Sequence, residues 1–288
     1  MSDPSACTRR GLNRRAFLRS AGGTALLGAV GVKPALASDV PEGLPASGPQ
    51  VFDFDEVYDR VGTDSTKWDG AIATYGQGIE VGMGIADMDF RAAPCITRAL
   101  AERCEHQNWG YLRKPDNYFE AIADWNRRRY GLEIDPGTLQ WTAGVHPAII
   151  AGLRTFAPPG TKVLMTTPTY NGFYSDLRYT QTVAEDCEMR LVDGRYSVDF
   201  DEFEVRAARA NVFMLCNPQN PTGNCWSPED LTRMGEICLR HKVIVFADEI
   251  HCDFVMKGQT YTPFASLPDR DIVDNSITFK AASKTFSL

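Results

Sequence analysis

Three short runs late in the 288-residue chain each place a chemically useful side chain directly after an apolar stretch. Residues 212–215 lead into Asn217-Pro218-Gln219-Asn220-Pro221-Thr222-Gly223, where two Asn-Pro steps and a glycine enforce a turn and hold two amides at a strand end. Residues 243–246 lead into Ala247-Asp248-Glu249-Ile250-His251. An acid at the end of a buried apolar strand is costly unless it meets a cation. Residues 277–279 lead into Ala281-Ala282-Ser283-Lys284-Thr285-Phe286, a lysine in an apolar, hydroxyl-bearing turn. A lysine that sheds its proton in such a place suits Schiff-base chemistry. A fourth run, Thr142-Ala143-Gly144-Val145-His146-Pro147, opens an apolar helix, and Pro147 fits its first turn. The free amides of a helix start, reinforced by the macrodipole, make a phosphate site.

These groups need a frame that brings strand ends together, and the rest of the chain supplies the pattern for one. Helical spacing is predicted over 92–104, over 119–130 with Ile122, Trp125 and Tyr130, and over 147–156. Strands are predicted over 162–166, 211–216, 243–247 and 276–279. Ser227-Pro228-Glu229-Asp230 starts a further helix, with serine as cap, proline first and acids in the first turn. Its apolar face is Leu231, Met234, Ile237 and Cys238. Near-continuous apolar strands alternating with helices predict an α/β fold with a mostly parallel central sheet and helices on both faces. Ligands in such folds sit at the carboxyl ends of the strands.

Composition bounds the function. The chain is 43% hydrophobic and 23% charged, enough for a core and against wholesale disorder. Lys+Arg numbers 30 against Asp+Glu 37, so nothing suggests a nucleic-acid partner. Charge is uneven: residues 1–37 hold six basic residues (Arg9, Arg10, Arg14, Arg15, Arg19, Lys33) against one acid, Asp3. Arg14-Arg15, a Gly/Ala-rich run over 21–32, and Ala35-Leu36-Ala37 read together as an export signal, with a basic amphipathic helix as the alternative. The run is too short for a stable membrane span of about 20 residues. Residues 38–50 read as a linker, with Pro41, Pro45 and Pro49. Of eight cysteines Cys7 lies in the signal; the odd remainder, with no C-x-x-C pair, supports neither a disulfide framework nor a metal site. Most of them read as small buried hydrophobes.

Taken in order, N-P-x-N-P-T-G, A-D-E-I-H and S-K-T-F resemble the fold-type I pyridoxal-phosphate enzymes of the aminotransferase class I/II superfamily. Lys67-Trp68-Asp69 and Ile85-Ala86-Asp87-Met88-Asp89-Phe90 are similar to its cystathionine β-lyase/cysteine-S-conjugate β-lyase branch. The resemblance implies pyridoxal 5′-phosphate as cofactor, Lys284 as its covalent anchor and mover of the Cα proton, and Asp248 as partner of the pyridine nitrogen. It implies that Asn220 and His251 donate to the cofactor's 3′ oxygen and that Tyr170 stacks on its ring. It casts Gly144, Val145 and His146 as backbone donors to the phosphate, Ser283 as a hydroxyl donor, and Tyr111 as a residue reaching the phosphate of a neighbouring subunit in a homodimer.

The implied organisation is a twin-arginine export signal over 1–37, served by the Tat machinery. A linker and small-domain segment follow over 38–90, then a large cofactor-binding domain over 91–288. The pattern is departed from at Ala281, where a phosphate-binding serine is common, and at Gly84, where the branch has tryptophan. The chain also ends four residues after Lys284, so the expectation is a domain incomplete at its C-terminus. The expected activity is carbon–sulfur β-elimination from cystathionine or a cysteine S-conjugate, a small amino-acid substrate. An aminotransferase and an inactive remnant that binds cofactor or a partner stand as alternatives.

Overall fold

The apolar runs pair as parallel strands. In the computed structural model, which describes residues 53–115 and 117–288, β1 (Lys162–Thr167) and β2 (Val183–Glu188) are followed by a separate antiparallel hairpin. That hairpin is β3 (Arg190–Val192) with β4 (Arg195–Ser197). Then come β5 (Val212–Cys216), β6 (Ile244–Asp248) and β7 (Ser276–Phe279). The main sheet runs β2-β1-β5-β6-β7 with every neighbouring pair parallel. The expected export signal and linker lie outside the described residues. Phe54–Leu288 forms one compact unit.

Strand alternation divides the core into two layers. Val212, Met214 and Cys216 of β5 pack with Val145, Ile149 and Leu153 of one helix and with Phe173 and Leu177 of another. Phe213 and Leu215 point the other way, onto Phe203, Leu231, Met234, Ile237 and Ile272. Every residue of β5 is buried, as a central parallel strand covered on both faces requires.

The helices relevant to the site are α1 (Asp69–Tyr75), α2 (Pro94–Glu105), α3 (Tyr118–Tyr130), α4 (Val145–Phe156) and α5 (Gly172–Thr180), and beyond them α6 (Phe200–Ala207), α7 (Pro228–Arg240), α8 (Arg270–Asp274) and α9 (Ala282–Phe286). The start of α7 forms as its residues predict: Ser227 Oγ accepts from the Asp230 amide at 3.1 Å, with Pro228 first. Its predicted apolar face is buried throughout.

Several elements escaped the sequence pattern, β2, α5 and α6 among them. β2 reads Val-Ala-Glu-Asp-Cys-Glu because it is an edge strand, buried only at Glu185 and Cys187. Glu185 tolerates burial because Lys162, Arg206 and Arg209 surround its carboxylate. The helices α5 and α6 are short and their apolar residues too few for a periodic signal. All seven described cysteines are free thiols, five buried and two, Cys95 and Cys104, exposed on α2. No described helix is long and apolar enough to cross a membrane.

Candidate active site at the strand ends

Register levels the strand ends. Cys216 is opposite Asp248, and Asp248 opposite Phe279. The three turns carrying Asn220, Asp248 and Lys284 therefore leave the sheet side by side. The chain passes from β1 outward to β2, then back across to β5, so the strand order reverses between β1 and β5. That reversal opens a crevice at the carboxyl ends. Tyr170 follows β1 into it, and Asn220 follows β5. Gln219 ties the two loops, its Nε2 donating to the Pro168 carbonyl at 2.9 Å and the Thr166 carbonyl at 3.3 Å.

Asp248 ends β6 on the face shared with α4 and is 5% exposed. Its carboxylate accepts one bond, from the Ile250 amide at 3.1 Å. Burial pushes its carboxyl up to about 7; the Ile250 bond and His146 oppose this, while Glu249 and Asp176 add to it. Such a group is built to meet a cation.

The start of α4 is bare. Gly144 is its cap residue at φ 137°, ψ 174°, a region only glycine enters freely, and no side chain caps the helix. Thr142 Oγ1 donates to the Gly144 carbonyl at 2.9 Å, shaping the turn. The amides at the start of this helix, Val145 and His146 among them, are placed for an anion.

Lys284 lies on α9, a single helical turn, where the sequence pattern predicts an irregular turn. The Ala-Ser-Lys-Thr-Phe run is held in helix by its neighbours: Thr285 Oγ1 donates to Asp253 at 2.6 Å, and Phe286 packs edge-on against Trp125 of α3 at 5.3 Å. The Met88 amide donates to Ser287 Oγ at 3.4 Å, joining the Ile85–Phe90 motif to the same turn. His251 faces Lys284; burial first, and then the lysine's charge, hold its imidazole below the usual range. Asn220 is half-buried, and its amide N–H donates to Cys216 Sγ at 3.3 Å. Ser283 is half-buried on α9. Tyr111 is fully exposed on the segment between α2 and α3 and contacts none of the other candidate residues. The structure thus groups Asp248 with Tyr170 and His146, and Lys284 with His251, and leaves Tyr111 apart.

The motifs also conceal a second row of residues, one step beyond the strand ends. Glu249, fully buried, accepts from the Phe264 amide at 2.7 Å, from Tyr261, and from Asn217 Nδ2 at 3.4 Å. Lys280 Nζ lies 3.6 Å from Glu249 and donates to Asn126 Oδ1 at 2.7 Å. Burial raises the Glu249 carboxyl and Lys280 opposes it. This row joins β5, β6, β7 and α3. Strand alternation was the available signal, since Asp248 and Glu249 must face opposite sides.

A family model described as aminotransferase class I and II matches residues 79–288. The chain belongs to that family. It is 39% identical over 239 residues to the cystathionine beta-lyase PatB of Bacillus subtilis, covering 82% of this chain and 62% of that protein. It superposes with a TM-score of 0.78 and 30% identity on cystalysin from Treponema denticola, whose crystal structure contains pyridoxal 5′-phosphate, covering 83% of this chain and 61% of that one. A similar match is the pyridoxal-phosphate-bound C-S lyase from Staphylococcus hominis, with a TM-score of 0.75, 30% identity, and coverage of 83% and 61%. The chain spans about three-fifths of these relatives' length. Pyridoxal 5′-phosphate is the cofactor of this family, and the site fits it. The buried Asp248 carboxylate suits a protonated ring nitrogen, the uncapped α4 start suits a phosphate, and Lys284, beside His251 and just past the neighbouring strand β7, is a half-buried amine of the kind that anchors it.

Proposed function

We propose that this chain is the cofactor-binding part of a carbon–sulfur β-lyase acting on cystathionine or a cysteine S-conjugate. The observation that carries the cofactor class is the convergence of Asn220, Asp248 and Lys284 from three adjacent strand ends. The likeness to lyases named for carbon–sulfur cleavage carries the reaction.

When bound, pyridoxal phosphate supplies an electron-accepting ring that stabilises negative charge at a substrate carbon. Asp248 holds a proton on the ring nitrogen, its buried negative charge and that proton stabilising each other. The α4 amides at Gly144, Val145 and His146 bind the phosphate, with the Ser283 hydroxyl as a further donor. Asn220 and His251 donate to the 3′ oxygen, and Tyr170 covers the ring. Lys284 Nζ would anchor the cofactor and, as a free amine, would take the substrate's Cα proton. Overall, a cysteine S-conjugate and one water give a thiol, pyruvate and ammonia.

With cystathionine and pyridoxal phosphate, the whole protein should release thiol and pyruvate with no 2-oxo acid present, and its Lys284→Ala variant should release neither. An absolute requirement for a 2-oxo acid would replace the lyase with the aminotransferase reading that the family's name favours.

Two further readings belong to the whole protein. Residues 1–37 act as a twin-arginine signal, which would carry the folded, cofactor-loaded chain out of the cytoplasm; Arg14-Arg15 and Ala35-Leu36-Ala37 support this. N-terminal sequencing of exported protein should begin at Ser38, and recovery only from cytoplasm with residues 1–37 intact would refute it. The protein also works as a homodimer. Tyr111 supports this, standing exposed beside Trp109 and Leu112 where a partner would cover them.

A further inference from the structure

A group that none of the motif roles uses lies behind Tyr170. His146, the second residue of α4, turns its ring onto Asp176 of α5: Nδ1 lies 2.9 Å and 2.8 Å from the two carboxylate oxygens. The Asp176 side chain is 2% exposed. The other ring nitrogen, Nε2, lies 3.3 Å from the Tyr170 hydroxyl, and the two ring centroids are 5.6 Å apart. Packing confines the arrangement on the side of Gly172, while the His146 ring stays partly open to solvent. A Cβ on Gly172 would lie 2.4 Å from the Tyr170 ring and 2.8 Å from that of His146, so only glycine fits. Phe173 closes the remaining side, edge-on to Tyr170 at 5.5 Å.

The proton positions follow from donor–acceptor logic. An ionised carboxylate only accepts, so His146 must carry a proton on Nδ1. In the neutral ring Nε2 is then a bare acceptor, and the Tyr170 hydroxyl must donate to it. We propose that Asp176 and His146 form a tautomer lock that holds the Tyr170 hydroxyl proton and so fixes the ring and the hydrogen-bonding sense of the phenol at the cofactor site. His146 and Asp176 are positioning residues in this scheme, acting through Tyr170, and the inference rests on the pyridoxal-phosphate reading only for what Tyr170 faces. With His146 neutral, the phenol oxygen presents a lone pair to its surroundings. If His146 becomes an imidazolium, Nε2 donates instead and the phenol proton is released to point elsewhere. The titratable groups around the pair are Asp176 from α5, Tyr170 between β1 and α5, Asp248 at the end of β6, and Cys216 at the end of β5. Burial raises the Asp176 carboxyl, and the His146 bond opposes that rise.

The lock is read directly in the cofactor-free full chain labelled with ¹⁵N-histidine. One of its four histidines, identified by its loss in His146→Gln, should show a protonated Nδ1 and a bare Nε2 above neutral pH. In Asp176→Leu the preference for a protonated Nδ1 should be lost, leaving both neutral tautomers populated. If that variant does not fold, Asp176→Asn, whose amide oxygen still accepts from Nδ1, should keep the tautomer. A protonated Nε2 in the parent chain, or a single Nδ1-protonated tautomer retained in Asp176→Leu, would overturn the lock. The link to the cofactor site is read by fluorescence titration with pyridoxal phosphate. His146→Leu and Tyr170→Phe should each weaken binding about five-fold, one hydrogen bond's worth, with the double variant no weaker than either. Losses that multiply would refute the coupling. If the parent chain bound no pyridoxal phosphate, the cofactor reading and the link would fall together, while the tautomer result would stand alone.

Discussion

Asp248 shows how one side chain's role follows from its surroundings. It sits at the end of an apolar strand with a single backbone donor, and burial lifts its carboxyl to about 7. Between the unfolded value of 3.8 and that figure, the folded chain keeps a proton that the unfolded chain has lost. Stability is therefore fully present below the lower value and falls as pH rises through the window, by on the order of 4 kcal/mol. In the cofactor-free protein, Asp248→Asn should be less stable than predicted from packing at no pH, and more stable than the parent at pH 8. Urea unfolding at pH 4 and pH 8 measures the difference. Equal pH slopes for parent and variant would mean the carboxylate is not desolvated as described. The same substitution should abolish tight pyridoxal phosphate binding, because an amide cannot hold the ring nitrogen's proton by charge. The residue types at this scale were legible in the sequence, since Asn220, Asp248 and Lys284 each follow an apolar run. What Asp176 does was not, because nothing in the linear order ties it to a histidine thirty positions earlier.

At the scale of elements, the site depends on three strands ending level. The register that aligns Cys216, Asp248 and Phe279 also aligns the next residues, and Glu249 with Lys280 locks that row. Lys280→Met would leave a fully buried carboxylate without its cation, which should cost about 3–5 kcal/mol. Adding Glu249→Gln should recover much of that loss, since the amide oxygen can still accept from the Phe264 amide. Denaturant midpoints of the two variants test this; a double variant as unstable as the single would show that the pair's charge is not what matters. The central strands and α7 could be read from periodicity because both faces of the sheet are apolar and the α7 start carries its own cap. The edge strand β2 could not, because its one buried acid is made tolerable by cations from β1, from α6 and from Arg209 just past α6.

For the whole molecule, Tyr111 is the informative residue. It contributes nothing to the site described within one chain, and with Trp109 and Leu112 it leaves apolar surface open to water. If a partner covers it, the full chain should sediment at about twice its 31.9 kDa, and Tyr111→Ala should weaken pyridoxal phosphate binding several-fold. A monomer that binds the cofactor equally well with or without Tyr111 would remove the shared-site reading.

The sequence by itself determined the order of the chemical groups and the kind of frame they need. Apolar runs, Asn-Pro turns, an uncapped glycine and a lone lysine are local signals, and each acts within a few residues of its own position. Tertiary structure alone decided which of those groups meet. Strand order and register set Asp248 beside Tyr170 and His146, put Glu249 on Lys280 behind the site, and gave the His146 ring, beside its backbone amide, a buried acid as partner. Contacts of that kind depend on which strands are neighbours and on which face a side chain leaves the sheet, and neither is written in the spacing along the chain.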